Sequence, residues 1–296
     1  MKILTSALAA GLLGFLPVAT QAKIERLVEK SFPVSPGANL KVSTEGGHIT
    51  LKTGADSTVT IIARQKIRAA SEAEADELLQ ELELTMEQTA DGIAAAAKYP
   101  ARKSGWSYGR RPVQVDFEIT APAALNAELR TSGGNIEVGD LTGTLSARTS
   151  GGNIRLGHMA GETTARTSGG NVTLEQASGP AELRTSGGHI KALQIGHSLR
   201  AHTSGGHVTV GFSGPLQADS SLSTSGGHIK VTVTPAAAFR LDAATSGGRV
   251  SAEGVTIALG KTSRTRLEGD VNGGGPLLKL RTSGGHVNVA VEPAGR

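Results

Sequence analysis

The sequence predicts an all-β chain: a single-chain β-solenoid, parallel β-helix-like, with about 18 residues per coil and an N-terminal β-rich cap holding one α-helix. Three observations predict it. Thr-Ser-Gly-Gly recurs from Thr131, Thr149, Thr167, Thr185, Thr203, Thr224, Thr245 and Thr282, at steps of 18, 18, 18, 18, 21, 21 and 37 residues. The composition is rich in glycine, at 40 of 296 residues, and only 3% aromatic, which suits stacked repeats better than an enzyme core. Apolar residues alternate with polar ones on both sides of each signature.

The N-terminus comes first. Met1-Lys2, an apolar run from Ile3 to Val18 and small residues up to Ala22 read as a cleavable signal peptide over 1–22. The run is too short for a membrane span, and no cysteine follows it to carry a lipid. Residues 23–125 are expected to form the cap. Strand-like sequence covers 38–64, including Val59-Thr60-Ile61-Ile62 and a divergent signature, Thr44-Glu45-Gly46-Gly47. An acidic amphipathic helix is expected over 71–83, with Ser71 as N-cap and Glu74 at its capping-box position. Strands over 84–98 and 113–120 follow, the first folded about Asp91-Gly92.

Residues 126–296 are the expected solenoid. An 18-residue unit accommodates two short strands and two turns, and stacked coils rise by about 4.8 Å each. Leu129, Ala147, Ala165, Leu183, Ala201, Leu222, Ala243 and Leu280 form one inward column, with each signature Thr two positions later on the same face. After the glycines come Ile136, Ile154, Val172, Ile190, Val208, Ile229, Val250 and Val287. Ladders of this kind let each coil cover its neighbour's apolar edge. The Gly pair is expected to supply the positive φ of a tight corner. The 37-residue step reads as two coils, one without the signature.

At this point the chain resembles the bacterial putative-adhesin family of β-strand-repeat proteins. The resemblance rests on the Thr-Ser-Gly-Gly-(Asn/His)-(Ile/Val) units and on the order strand, Glu-rich helix, strand pair and Val115-Asp116-Phe117-Glu118-Ile119-Thr120-Ala121-Pro122. It covers nearly all of the chain after residue 22 and implies the fold; the family has no established biochemical activity.

Three groups of residues are candidates for binding. Arg130, Arg148, Arg166 and Arg184 precede Thr on consecutive rungs and point outward, in a column about 4.8 Å apart. They read as a solvated face partly neutralised by Glu128 and Glu182, or as a stripe for phosphorylated glycan, lipopolysaccharide or another acidic polymer. The segment 98–111 carries the single Trp and both Tyr. Trp106 and Tyr108 are interleaved there with Arg102, Lys103, Arg110 and Arg111, a mixture suited to stacking on sugars or docking at an anionic membrane interface. The plain reading is a hairpin loop lying against the acidic helix. The third group follows the glycines: Asn135, Asn153, Asn171, His189, His207, His228, Arg249 and His286. Asn and His tolerate left-handed backbone, so this is a turn-exit column. The competing reading gathers His189, His202, His207 and His228 into a metal ladder, against which stand the neighbouring Lys191 and Lys230.

Enzyme signals are weak. There is no cysteine, which removes disulfides, thiolate nucleophiles and Cys-based zinc sites. Gly260-Lys261-Thr262 lacks the earlier glycine of a phosphate loop, because that position is Val255. The apolar spacing of Ile136, Val138, Leu141 and Leu145 does not follow a hexapeptide period. The net charge of +4 is too small to indicate nucleic acid. The expectation is therefore an exported, non-catalytic protein of the periplasm or cell surface, needing no cofactor. It would be an adhesin-like binding or structural module for an anionic envelope polymer, glycan, membrane surface or envelope protein. A self-assembling scaffold, stacking through the strand-like Val287–Val291, and a β-helix carbohydrate-active enzyme are the alternatives.

Overall fold

The computed structural model describes residues 23–54, 57–99 and 112–291. The chain winds through two long, mainly parallel sheets that face each other across an aliphatic core. The N-terminal elements are β1 (Lys23–Pro33), β2 (Ala38–Thr44), β3 (Ile49–Gly54), β4 (Thr58–Arg68), α1 (Glu72–Gln80), β5 (Glu83–Thr89), β6 (Gly92–Lys98) and β7 (Val113–Pro122). The coils then follow as strand pairs: β8 (Leu125–Thr131) and β9 (Ile136–Val138), β10 (Leu145–Arg148) and β11 (Ile154–Met159), β12 (Thr163–Arg166) and β13 (Val172–Ala177). Next come β14 (Ala181–Arg184) and β15 (Ile190–Ile195), β16 (Leu199–Thr203) and β17 (Val208–Phe212), β18 (Ser220–Thr224) and β19 (Ile229–Val233), and β20 (Phe239–Thr245) and β21 (Val250–Glu253). A hairpin, β22 (Ile257–Thr262) and β23 (Arg266–Val271), precedes the last coil, β24 (Leu277–Thr282) and β25 (Val287–Val291).

In each coil the strand before the signature lies in a 13-stranded sheet and the strand after it in a 12-stranded sheet. The registers stack the expected columns without slippage. Leu129 pairs with Ala147, Ala147 with Ala165, Ala165 with Leu183, Leu183 with Ala201 and Ala201 with Leu222. On the facing sheet Ile136, Ile154, Val172, Ile190, Val208 and Ile229 pair in turn. All of these residues are essentially inaccessible. A buried Leu, Ile or Val contributes about 1.5–3 kcal/mol, so the ladders carry the stability that the scarce aromatics do not.

The stack also runs through the region expected to be only a cap. β2 pairs in parallel with both β8 and β6, and β3 with both β9 and β7. The divergent Thr44 signature and the strands β6 and β7 therefore belong to the stack. Capping elements lie outside them: β1 and β4 are antiparallel on one sheet and β5 is antiparallel to β6 on the other. Helix α1 is shorter than the expected 71–83. Ser71 Oγ accepts the Glu74 N–H at 3.2 Å and the Glu74 carboxylate accepts the Ala70 N–H at 2.6 Å. Arg26 of β1 pairs with Glu72 and Asp76, which ties the helix to the cap.

Two expectations are corrected. First, the coils do not stack in chain order. β24 lies between β18 and β20, and β25 between β19 and β21, so the rungs run Thr203, Thr224, Thr282, Thr245. The cause is the hairpin. β23 pairs antiparallel with the outer edge of β20, leaving only the inner edge for β24. The 37-residue step is thus a hairpin plus one coil, and Val287–Val291 is an interior strand rather than an edge open to stacking.

Second, the repeat glycines do not have positive φ; among the described glycines that conformation is found at Gly37, Gly92, Gly254, Gly273, Gly274 and Gly275. The second glycine is required by space. A Cβ on Gly134, Gly152, Gly170, Gly188, Gly206 or Gly227 would lie 1.9–2.0 Å from the carbonyl oxygen of the same glycine one rung earlier. Bringing two rungs to sheet spacing at this corner is possible only without a side chain.

Candidate functional site: a cationic face and a corner ladder

The outer face of the 13-stranded sheet carries the predicted arginines. Register places Arg130, Arg148, Arg166 and Arg184 side by side on β8, β10, β12 and β14, and the column continues through His202 and Ser223. Carboxylates from the adjacent column engage three of them. Glu128 pairs with Arg130, and Glu182 bridges Arg166 and Arg184 at 2.6 Å each. Among the described residues Arg148 has no carboxylate partner. Such exposed pairs are worth only about 0–1 kcal/mol and can be exchanged for ligand anions.

Arg102, Lys103, Trp106, Tyr108, Arg110 and Arg111 lie outside the described residues. The two ends of their segment are fixed, however. Tyr99 Oη accepts the Val113 N–H at 2.9 Å and donates to the Val113 carbonyl at 3.1 Å. Ala97 is in register with Thr44 and Phe117 with Ile49, so the flanking strands β6 and β7 keep the rung register of β2 and β3.

The residues after the glycines form a hydrogen-bonded ladder down that corner. The His48 N–H donates to Asp116 Oδ1, and the Asn135 N–H to His48 Nδ1. The N–H groups of Asn153, Asn171 and His189 donate to the Oδ1 of the preceding Asn. Those of His207, His228, His286 and Arg249 donate to the Nδ1 of the preceding His. All nine distances are 2.7–3.0 Å. This corrects the backbone explanation: none of these Asn or His residues has positive φ. What the position demands is a short side chain with an acceptor at Oδ1 or Nδ1. Asp116 is the member that sequence reading missed; its alignment with His48 depends on an inserted segment.

Alongside runs a threonine ladder. Each signature Thr Oγ1 accepts its own second glycine's N–H and donates to the glycine carbonyl of the rung before. For Thr203 these bonds are 3.3 Å from Gly206 N and 2.8 Å to Gly188 O. The threonines are buried, so the expected inward column is observed.

Electrostatics in the corner follow from these bonds. Burial pushes the Asp116 carboxyl up. Hydrogen bonds from Lys66 (2.5 Å), the His48 N–H and Gln114, with the Lys66 charge, outweigh it and hold the group below its ordinary value. The rings of His189, His207, His228 and His286 stack at centroid distances of 5.0, 5.0 and 5.1 Å. Burial and the flanking His189 and His228 lower the His207 pKa from 6.5. Each Nδ1 accepts a backbone N–H, so the tautomer that fits these bonds carries its ring proton on Nε2. Near-parallel rings at this spacing do not converge on one ion, which with bonds of 2.0–2.1 Å spans at most about 4.2 Å between nitrogens. His202 is not with them: it lies on the other sheet, its Nδ1 2.8 Å from Ser223 Oγ.

The stacked Thr-Gly corner recurring from residue 44 to 285, within a two-sheet solenoid, matches one family model, Toastrack DUF4097, over residues 37–290. The chain belongs to this family. Among solved structures it is similar to a putative adhesin from Bacteroides fragilis NCTC 9343, with 14% identity, a TM-score of 0.49 and coverage of 90% of this chain and 97% of that one. It is also similar to a putative adhesin from Parabacteroides merdae ATCC 43184, at 10% identity, a TM-score of 0.40 and coverage of 90% and 97%. A third is a putative lipid binding protein from Parabacteroides distasonis ATCC 8503, at 11% identity, a TM-score of 0.31 and the same coverage. No curated protein matches. This Toastrack chain has no described helix long and apolar enough to cross a membrane.

Proposed function

We propose that this Toastrack protein is an exported, non-catalytic envelope module that holds an anionic envelope polymer or glycan on the outer face of its 13-stranded sheet. The observation that carries this is the register of Arg130, Arg148, Arg166 and Arg184, which repeats one guanidinium per rung along a rigid surface. A periodic polymer meets such an array at many points, and each contact is weak enough to exchange. The charged and apolar N-terminal sequence, Met1 to Ala22, supports the export part of this reading.

Co-sedimentation of residues 23–296 with isolated envelope fractions at low and high salt tests the reading. Salt-sensitive binding is expected, and replacing Arg130, Arg148 and Arg166 together by Ala should weaken it and flatten its salt dependence. Unchanged binding in that variant would remove the arginine face from the mechanism.

A further inference from the structure

The arginine column ends at Arg184, one rung before the coil lengthens from 18 to 21 residues, and a groove of about 470 Å³ opens beside it. Its walls carry Arg184, Arg200, His202 and Lys279, with Ser221 and Ser223 between them. Register explains the arrangement. Glu182, Arg200, Ser221 and Lys279 are consecutive neighbours in one outward column. Arg200 and Lys279 are thus two strands apart, about 9.6 Å by strand spacing, with only the short Ser221 side chain between them.

Both cations are uncommitted, for the same reason. The carboxylate beside Arg200 is Glu182, already held by Arg166 and Arg184. The carboxylate beside Lys279 is Asp242, which Arg281 holds, with Arg266 at 3.9 Å. Among the described residues neither Arg200 nor Lys279 has an ion-pair partner. One acid lines the groove, Asp219, and its Oδ1 accepts the Leu277 N–H at 2.8 Å. Ser220 is committed as well, its Oγ accepting the Leu199 N–H at 3.0 Å. What remains is a cation, a hydroxyl and a cation in line, flanked by the His202–Ser223 pair and continuous with the arginine column.

Resting on the binding reading above, the geometry points to this groove as the docking point for an acidic polysaccharide, with a sulfate or phosphate ester seated over Ser221 between Arg200 and Lys279. The two cations neutralise the ester and Ser221 donates to it, while Ser223 and His202 are placed for neighbouring sugar hydroxyls. The rest of the polymer runs along the arginine column, where spacing repeats and selectivity is low. The groove therefore sets affinity and the column sets reach.

Binding of residues 23–296 to immobilised dextran sulfate, with uncharged dextran as control and inorganic sulfate as competitor, decides the matter. Two double variants are compared, Arg200→Ala with Lys279→Ala and Arg130→Ala with Arg148→Ala. All four positions are solvent-exposed, and thermal melts should show both variants folded. The groove variant should lose at least tenfold in affinity and the column variant about threefold or less. Equal losses, or a loss confined to the column variant, would overturn the groove assignment and leave the face-binding reading intact. Failure of the wild type to bind dextran sulfate while it still co-sediments with envelope would also overturn it. Failure of both would bring down the broader reading.

Discussion

Alanine at Gly205 and at Gly206 places the same methyl group at neighbouring positions with opposite consequences. At Gly206 the Cβ would lie 2.0 Å from the Gly188 carbonyl oxygen, 2.5 Å from its carbon and 2.8 Å from the His189 nitrogen. At Gly205 the nearest atom is the Gly187 oxygen at 3.4 Å, an ordinary contact. Relieving the Gly206 clash means opening this corner by more than about 1 Å, beyond the reach of a hydrogen bond. Four bonds cross the gap: Thr203 Oγ1 to Gly188 O, His207 N to His189 Nδ1, and Ser204 N and Gly205 N to Ser186 O. At roughly 1 kcal/mol net each, Gly206→Ala should cost about 3–5 kcal/mol. For a chain of this size that lowers Tm by about 5–9 °C. Gly205→Ala should stay within about 1 kcal/mol of wild type, because restriction of the unfolded chain offsets small strain. Thermal and urea melts followed by circular dichroism read both. If the two variants fall together, or Gly206→Ala is neutral, the packing explanation of the signature is refuted.

Three further outcomes follow from the ladders and the strand order. His207→Asn keeps an acceptor for the His228 N–H and should cost no more than a few tenths of a kcal/mol (~0.5 at most), whereas His207→Leu removes the acceptor of this exposed bond and should cost about 0.5–1.5 kcal/mol in urea titrations. The pKa of His207 is lowered on folding, so its stabilisation is complete above the ordinary value of 6.5 and is lost as pH falls through the folded value. Tm should therefore drop between pH 7.5 and 5, and less so in His207→Asn. A chain ending at Pro276 lacks two interior strands and leaves β18 and β20 unpaired on facing edges; it should give no cooperative melt, while wild type gives one.

The sequence made the columns legible because one parity error would have turned every apolar residue outward. Leu129 to Leu222 and Ile136 to Ile229 stack as read. The inward threonines were legible by the same rule. The reason for the signature was not. A glycine chosen for φ and a glycine chosen because a Cβ would strike the neighbouring rung's carbonyl look identical in one dimension, as do an Asn chosen for its backbone and an Asn chosen for its Oδ1. The position of β24 was hidden because it depends on which edge of β20 the hairpin covers, a choice made between segments more than twenty residues apart. Arg200 and Lys279 did have a signal, outward parity two positions before His202 and Arg281. Their freedom, by contrast, depends on Glu182 and Asp242 being claimed by other arginines.

The interleaved strand order bears on how the protein carries load. In a solenoid stacked in chain order, tension at the C-terminal end unpeels coils one at a time, each step breaking the bonds of a single edge. Here tension transmitted through Val291 acts on a coil bonded on both sides, by β18 and β19 on one and β20 and β21 on the other. Extracting it means shearing two interfaces in each sheet at once, and the outermost coil cannot be shed first to relieve the force. The coil that carries the last described strand is in effect bolted into the stack on both sides.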